Sequence, residues 1–221
     1  MKHWKKLATT LALFGVAGVA NATVVTFTLS NEVSESGGVL TGDIIVTLND
    51  DTGNDSTVDI EIDMTALSGG ESMLGLYLNF DPTKDPTGMT LADTGSVSSE
   101  QPIDAGINCC KPDGQDEHDV LIEFANAAGG EFTSGEIYEG TLSLAGGLTA
   151  ADFDFLSNGA QGTENCAVAR VTRTTDLPDN GGSGWFDCEG EGVQVVEPGS
   201  LALFGFGIGL LGFVGRRRRN G

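Results

Sequence analysis

Histidine is almost absent from the sequence, with two residues in 221, His3 and His118. His3 lies in a basic stretch at the N-terminus, so a single histidine serves the rest of the chain. Zinc sites built on several histidines are therefore excluded. A catalytic arrangement of serine, histidine and acid would have to use His118. This residue stands between Glu117 and Asp119 and is better interpreted as a loop residue beside a charge cluster.

Basic residues are equally scarce outside the two ends of the chain. Between Glu32 and Glu197 there are four basic residues against 32 acidic ones, a net charge of −28. A body this acidic repels phosphate backbones, so nucleic-acid binding is excluded and cations or basic partners are favoured. The acids are also too numerous to identify a glycosidase pair, because some carboxylates will lie at a suitable distance by chance.

Residues 1–22 have the layout of a secretory signal peptide. A basic region at Lys2, Lys5 and Lys6 precedes an apolar run over 7–20, and Ala-Asn-Ala at 20–22 supplies the small-residue ending. Cleavage is expected after that triplet. The alternative, an uncleaved anchor, is disfavoured because the run is shorter than the roughly 20 residues that a transmembrane helix needs.

A second signal occupies residues 196–221. The small and apolar stretch 201–215 is followed by a basic cluster of Arg216, Arg217, Arg218 and Arg219. A helix over this stretch would span about 22 Å at about 1.5 Å per residue, against a hydrocarbon core of about 30 Å. The predicted transmembrane segment is therefore marginal, and its arginines should stay on the cytoplasmic side.

This order of turn, weak transmembrane segment and arginine cluster resembles the PEP-CTERM sorting signal of exported bacterial proteins. Glu197-Pro198-Gly199-Ser200-Leu201-Ala202-Leu203 matches its usual sequence, and Val196 stands where the family has the first proline of Pro-Glu-Pro. The resemblance implies recognition by an exosortase, a membrane-embedded, transpeptidase-like enzyme that cuts near the motif. It also implies delivery to the cell surface or the exopolysaccharide matrix. The alternative, a plain C-terminal membrane anchor, is disfavoured by the short span.

Residues 23–195 form one acidic domain whose pattern is that of strands. Apolar and polar residues alternate over 25–29 and 58–64, which is typical of half-buried strands. Clusters of Gly, Asp and Asn separate further predicted strands over 44–48, 74–80, 120–124, 142–144 and 168–172. This spacing predicts a mainly β fold, an antiparallel, jelly-roll-like β-sandwich. One short helix is expected after Thr149, with Asp152 completing a capping box, and a flexible loop is expected over 178–184.

The four cysteines are Cys109, Cys110, Cys166 and Cys188. In a chain predicted to enter an oxidising compartment, they favour two disulfides over a thiolate metal site. Adjacent Cα atoms lie ~3.8 Å apart, below the ~4.4–6.8 Å that disulfides prefer, so no bond is expected between Cys109 and Cys110. These two residues are then predicted to pair with Cys166 and Cys188, in either order.

Beside the cysteine pair, residues 113–119 contain four carboxylates around Gly114. Calcium takes six to eight oxygen ligands, and Asp113, Asp116 and Asp119 are the candidate ligands, although their spacing is not that of an EF-hand. Asp50, Asp51 and Asp55 form a second, weaker cluster. The alternative is a solvated acidic loop. No cofactor other than calcium is indicated.

The sequence as a whole predicts a non-enzymatic, exported protein of the envelope or the extracellular matrix, associated with exopolysaccharide and processed at its C-terminus. Its expected partners are an exosortase-like membrane enzyme, the membrane itself through 201–215, and an extracellular polysaccharide. A second hypothesis is a calcium-dependent carbohydrate-binding module or adhesin. Trp185 could stack on a sugar ring, but a single aromatic residue is more often packed in the core or at its rim. A secreted hydrolase is the third.

Overall fold

The computed structural model describes residues 23–33, 38–50, 56–112, 116–126, 130–157, 164–174 and 182–188. These residues form eleven strands and one short 3-10 helix, Ala150–Phe153. The strands, β1 to β11 in chain order, are Val24–Glu32, Ile44–Asn49, Thr57–Asp63, Ser72–Leu78, Thr90–Asp93, Ser99–Cys110, His118–Phe124, Phe132–Thr133, Ile137–Ser143, Ala167–Thr172 and Ser183–Cys188. The predicted mainly β class is confirmed.

All eleven strands belong to one antiparallel sheet. Along the sheet the order is β5, β9, β3, β2, β1, β11, β10, β4, β7 and β6, and β8 pairs with β4. The end strands β5 and β6 contact each other, so the sheet nearly closes on itself. The jelly-roll-like sandwich, which would have two separate sheets, is not confirmed. β1 pairs with β11, so the strands from β5 to β1 and those from β11 to β6 belong to one hydrogen-bonded sheet.

Alternation along the strands decides which residues enter the core. In β3, Val58, Ile60 and Ile62 are buried, whereas Asp59 and Glu61 between them are exposed. Apolar residues from both halves of the sheet meet in one hydrophobic core. Full burial of each such side chain stabilises the fold by about 1.5–3 kcal/mol, so this core is the main source of stability.

The 3-10 helix joins the connection between β9 and β10 to that core. Asp152 Oδ2 accepts a hydrogen bond from the Thr149 backbone N–H at 2.9 Å, as the capping prediction requires. The same carboxylate pairs with Lys84 Nζ at 2.7 Å. Phe153 is fully buried and meets the ring of Phe80 at a centroid distance of 5.3 Å. The helix thereby holds the segment after β4 against the core.

The strands that sequence patterning missed have little apolar alternation. Of the twelve residues of β6, only Ile103 and Cys110 are buried, so the conformation of this strand depends on its pairing with β7. The predicted loop over 178–184 is wrong at its C-terminal end, because Ser183 and Gly184 begin β11. This strand is set by its partners β1 and β10 on either side.

The predicted disulfide pairing is also wrong. Cys109 is bonded to Cys110, and Cys166 to Cys188. Cys188 ends β11 and Cys166 immediately precedes the adjacent β10, and their Cα atoms lie 6.0 Å apart. β6 carries the other two cysteines, and β4 and β7 separate it from β10. Three strand spacings amount to roughly 14 Å, which is too far for the predicted bonds.

We predict that the two disulfides contribute unequally to stability. The sequence separation of Cys166 and Cys188 is 22 residues, whereas Cys109 and Cys110 are neighbours that close almost no loop. Replacing Cys166 and Cys188 with serine should lower the free energy of unfolding by about 3 kcal/mol on the chain-entropy estimate. The matched replacement of Cys109 and Cys110 should cost much less. Denaturant unfolding of the exported protein measures both losses, and equal losses would contradict the assignment.

Candidate functional site

The predicted acidic loop leads into a pocket of about 200 Å³ at one end of the sheet, here called the Asp119 pocket. Four segments surround it: the residues after β4, the part of β6 where its pairing with β7 is irregular, the start of β7 and the residues after the 3-10 helix. Its polar lining includes Asp81, Glu117 and Asp119. Ile107 and Leu156 also line it and are 65% and 50% exposed. The pocket therefore combines carboxylates with exposed aliphatic side chains.

Asp119 holds two walls of the pocket together. Its Oδ2 accepts a hydrogen bond from the Phe80 backbone N–H at 3.0 Å, and its Oδ1 accepts one from the Asn108 N–H at 2.8 Å. Asn108 has a φ of 50°, a left-handed conformation that asparagine adopts more readily than most residues. Both oxygens of the carboxylate are thus engaged in positioning backbone.

Asn79 fixes the inner wall of the pocket. Its Nδ2 donates to the carbonyl oxygens of Phe155, Asn165 and Cys166, at 3.2, 2.6 and 3.0 Å. Asn79 is 2% exposed, and a buried amide needs such partners to offset the loss of water. The contacts hold the residues that leave the helix beside those that enter β10. No sequence pattern identified this residue, because its three partners lie more than 70 positions away.

His118 is not the loop residue that the sequence suggested, because it begins β7 and is fully buried. Its Nδ1 donates to the Asp116 carbonyl oxygen at 3.0 Å, and its Nε2 has no partner among the described residues. Burial lowers the pKa of His118 to about 4, although the Asp116 carbonyl and the nearby carboxylates oppose this shift. The imidazole is therefore neutral at pH 7.

Among the described residues around His118, the serine and the aspartate are not arranged as a catalytic triad. The carboxylate of Asp116 accepts a hydrogen bond from Ser157 Oγ at 3.4 Å instead of orienting the imidazole. Ser157 Oγ in turn accepts one from the Asn165 backbone N–H at 2.9 Å. The serine and the aspartate thus belong to a buried polar network that stabilises the inner wall of the Asp119 pocket.

The structure describes only part of the predicted calcium site. Asp119 uses both carboxylate oxygens for backbone amides, Asp116 is buried, and Asp113 lies outside the described residues. Within the described ranges, no group of three His, Cys, Asp or Glu side chains is arranged to hold a metal ion. The calcium site stays a prediction that depends on Asp113.

The weaker acidic cluster is likewise described in part. Asp50 accepts hydrogen bonds from the backbone N–H groups of Thr23 and Ala150, so its carboxylate connects the start of β1 to the 3-10 helix. Asp51 and Asp55 lie outside the described residues. Asp50 therefore has a structural role whether or not a cation binds nearby.

Trp185, the candidate for stacking on a sugar, is packed against its neighbours, which is the alternative that the sequence favoured for a single aromatic residue. It is 9% exposed, and the Arg170 guanidinium lies over its ring at 5.5 Å from the centroid. Tyr77 meets the same ring edge-on at 5.5 Å. The ring face beneath Arg170 is therefore not open to a sugar.

Comparison with known proteins supports the resemblance seen at the C-terminus. Residues 195–219 match the family model of the PEP-CTERM protein-sorting motif. No curated protein and no solved structure matches the chain. The chain therefore carries a PEP-CTERM sorting motif, which indicates an exported protein sorted through its C-terminus.

The matched motif and the other targeting segments lie outside the described residues. These are the predicted signal peptide 1–22, the predicted transmembrane segment 201–215 and the arginine cluster that follows it. In the part of the chain that the structure covers, no helix has the length and apolar character needed to cross a bilayer.

Acidification should destabilise the fold through His118. Its folded-state pKa of about 4 lies below the ~6.5 of an unfolded histidine, so the unfolded state binds the proton first as the pH falls. The resulting loss in the free energy of unfolding is absent above about pH 7 and reaches about 2 kcal/mol at pH 5. Unfolding of the exported protein at pH 7 and pH 5 should show that much additional loss relative to His118→Gln. Equal losses in the two proteins would contradict this role.

Calcium, if it binds, should stabilise the folded protein through Asp113. Binding to the folded state alone gives about 2.7 kcal/mol at a hundredfold excess over the dissociation constant. We expect calcium to raise the melting temperature of the exported protein more than magnesium or sodium does at matched ionic strength. Asp113→Asn should abolish that difference, whereas Asp59→Asn on β3 should keep it. If calcium raises the melting temperature no more than sodium does, the calcium site is contradicted and residues 113–119 are a solvated acidic loop.

Proposed function

We propose that this protein is a non-enzymatic component of the cell envelope or the extracellular matrix, associated with exopolysaccharide. The observation that carries the proposal is the PEP-CTERM motif at residues 195–219. Such motifs are sorting signals recognised by exosortase-like membrane enzymes. The signal peptide predicted over 1–22 would start the same export route. The acidic domain would then be released outside the cell after cleavage near the motif.

Two features of the domain support an extracellular role. All four cysteines are paired in disulfides, which persist in oxidising compartments and are rare in the cytosol. The high negative charge keeps copies of the domain apart and in solution after release.

The environment of His118 supports the non-enzymatic part of the proposal. The lowered pKa of His118 and its bond to a backbone carbonyl favour a structural role for this histidine over that of a general base.

A carbohydrate-binding module is a second candidate, and the Asp119 pocket is the observation that favours it. Hydrogen bonds from the Thr83 hydroxyl and backbone N–H hold the pKa of Asp81 below its usual value, so this carboxylate stays ionised and can accept hydrogen bonds from sugar hydroxyls. Ile107 and Leu156 would contact the apolar face of the sugar. A glycan-binding screen on the exported protein tests this candidate.

The sorting proposal predicts that the arginine cluster controls where the protein goes. Replacing Arg216, Arg217, Arg218 and Arg219 with serine removes the charge that retains the tail on the cytoplasmic side, so normal sorting should be lost. Replacement of the same four residues with lysine keeps the charge and should preserve sorting. The measurement is the amount of protein in the membrane, surface and matrix fractions, together with its intact mass. Unchanged mass and location in the serine variant would contradict the proposal.

The intact mass of the wild-type protein also separates the proposal from its alternative. A processed matrix protein should lack residues 1–22 and should end near the motif. A mass that retains residues 196–221 would instead support a plain membrane anchor.

A further inference from the structure

Five residues form a row across the outer face of the sheet, each the direct register partner of the next. In order from β11 to β6 they are Trp185, Arg170, Gly75, Glu123 and Glu100. Neighbours of the first four residues along their strands, such as Leu76, Ala169 and Ile122, belong to the hydrophobic core, and Glu100 is itself exposed. Because successive side chains of a strand point to opposite faces, the row points outward.

Gly75 opens a gap in this row. A groove of about 180 Å³ lies over it, here called the Gly75 groove, with Arg170 on one side and Glu123 and Glu100 on the other. A Cβ atom built on Gly75 would lie 3.3 Å from Leu121 Cδ1 and 3.5 Å from the Tyr77 ring. The backbone could therefore take a small side chain with slight adjustment, and a larger one would fill the groove.

Arg170 is exposed and held in place by the Trp185 ring beneath it. Arg173 and Lys84 are paired with Glu131 and Asp152, whereas Arg170 forms no salt bridge within the described residues. β4 lies between β10 and β7, so the Cα atoms of Arg170 and Glu123 are about 10 Å apart. Opposite charges thus face each other across the groove without an ion pair between them.

We propose that the Gly75 groove binds a compact zwitterionic ligand, with its anionic group on Arg170 and its cationic group between Glu123 and Glu100. A guanidinium pairs well with a carboxylate, because its parallel N–H groups match both oxygens. A purely anionic ligand would be repelled by the two glutamates and by the acidic domain. A purely cationic ligand would be attracted by the glutamates but would leave Arg170 without a partner. Only a ligand with both charges satisfies both sides.

The size of the groove limits the ligand. Its volume of about 180 Å³ lies below the roughly 300–1,000 Å³ of sites for drug-sized molecules. A short peptide and a single sugar ring that carries both an amino and a carboxyl group share the required chemistry. Tyr77 lines the groove, so either ligand would also have an aromatic side chain to contact.

The exported protein contains its own reporter for this site. The sequence has two tryptophans, Trp4 and Trp185, and Trp4 lies in the predicted signal peptide. A ligand carboxylate that pairs with Arg170 changes the charge directly over the Trp185 ring. Binding should therefore alter tryptophan fluorescence as well as release or absorb heat.

The test is a titration of the exported protein with each probe, in which binding is measured by calorimetry and by Trp185 fluorescence. The probes are glycylglycine, its N-acetylated form without the cation, its amide without the anion, and muramic acid as a zwitterionic sugar. Glycylglycine or muramic acid should bind at least about tenfold more tightly than either capped peptide. Tighter binding of muramic acid would assign the groove to a saccharide, and tighter binding of glycylglycine to a peptide.

Variants locate the binding to the groove. Arg170→Gln, Glu123→Gln and Gly75→Val should each weaken zwitterion binding by about tenfold or more, because they remove one charge or fill the space. The control variants are Arg173→Gln and Glu61→Gln, which make the same charge changes away from the groove. Both proteins should bind the zwitterion as tightly as the wild type does. Thermal unfolding of each variant establishes that it is folded.

Three results would overturn the proposal. These are the absence of zwitterion binding up to about 10 mM, equal binding of the capped peptides, and equal weakening by the control variants. None of them bears on sorting, which depends on residues 195–219, so the groove and the proposed matrix role can fail separately.

Discussion

The pairing of β1 with β11 is the interaction on which the rest of the sheet depends. On its other side β1 pairs with β2, followed by β3, β9 and β5, and these strands form one half of the sheet. On its other side β11 pairs with β10, followed by β4, β7 and β6, which form the other half. The hydrogen bonds between β1 and β11 therefore join the two halves. Asn31 Nδ2 donates to Asp187 Oδ1 at 2.9 Å, and the Val33 backbone N–H donates to the Trp185 carbonyl at 2.8 Å. Without these contacts each half would have an unpaired strand edge. The apolar residues of each half would also no longer be buried against those of the other.

The second constraint is the distribution of charge around that sheet. Glu61 of β3 stands directly opposite Glu139 of β9, and like charges in this position are destabilising. The fold tolerates them because both side chains are exposed, where water and salt screen them. The few basic residues are used differently: Lys84 neutralises the carboxylate that caps the helix, whereas Arg170 lies on Trp185 over the outer face. Negative charge thus covers the outside while the positive charges take defined positions.

Prediction from sequence succeeded where a strand carries its own pattern. β1 alternates apolar and polar residues over 25–29 and β3 does so over 58–62, and both lie close to where they were expected, whereas β6 has almost no alternation and depends on β7. The cysteine prediction used a general geometric preference and failed, since the strand order separates Cys109 and Cys110 from Cys166 and Cys188. Asn79 and His118 could not be assigned for a related reason, because each contacts a residue distant in the chain, Asn165 for Asn79 and Tyr77 for His118.

The sequence by itself determined the charge of the domain, its β class and its C-terminal sorting motif. These properties belong to composition or to contiguous residues, and the sorting motif is a linear segment complete within 195–219. Only the tertiary structure decided that the strands form one nearly closed sheet, which cysteines meet, and that Arg170, Gly75 and Glu123 share a row. The physical reason is register. A strand shows from its own residues which side faces the core, but its neighbours and their alignment are set by hydrogen bonds and packing between residues far apart in the chain.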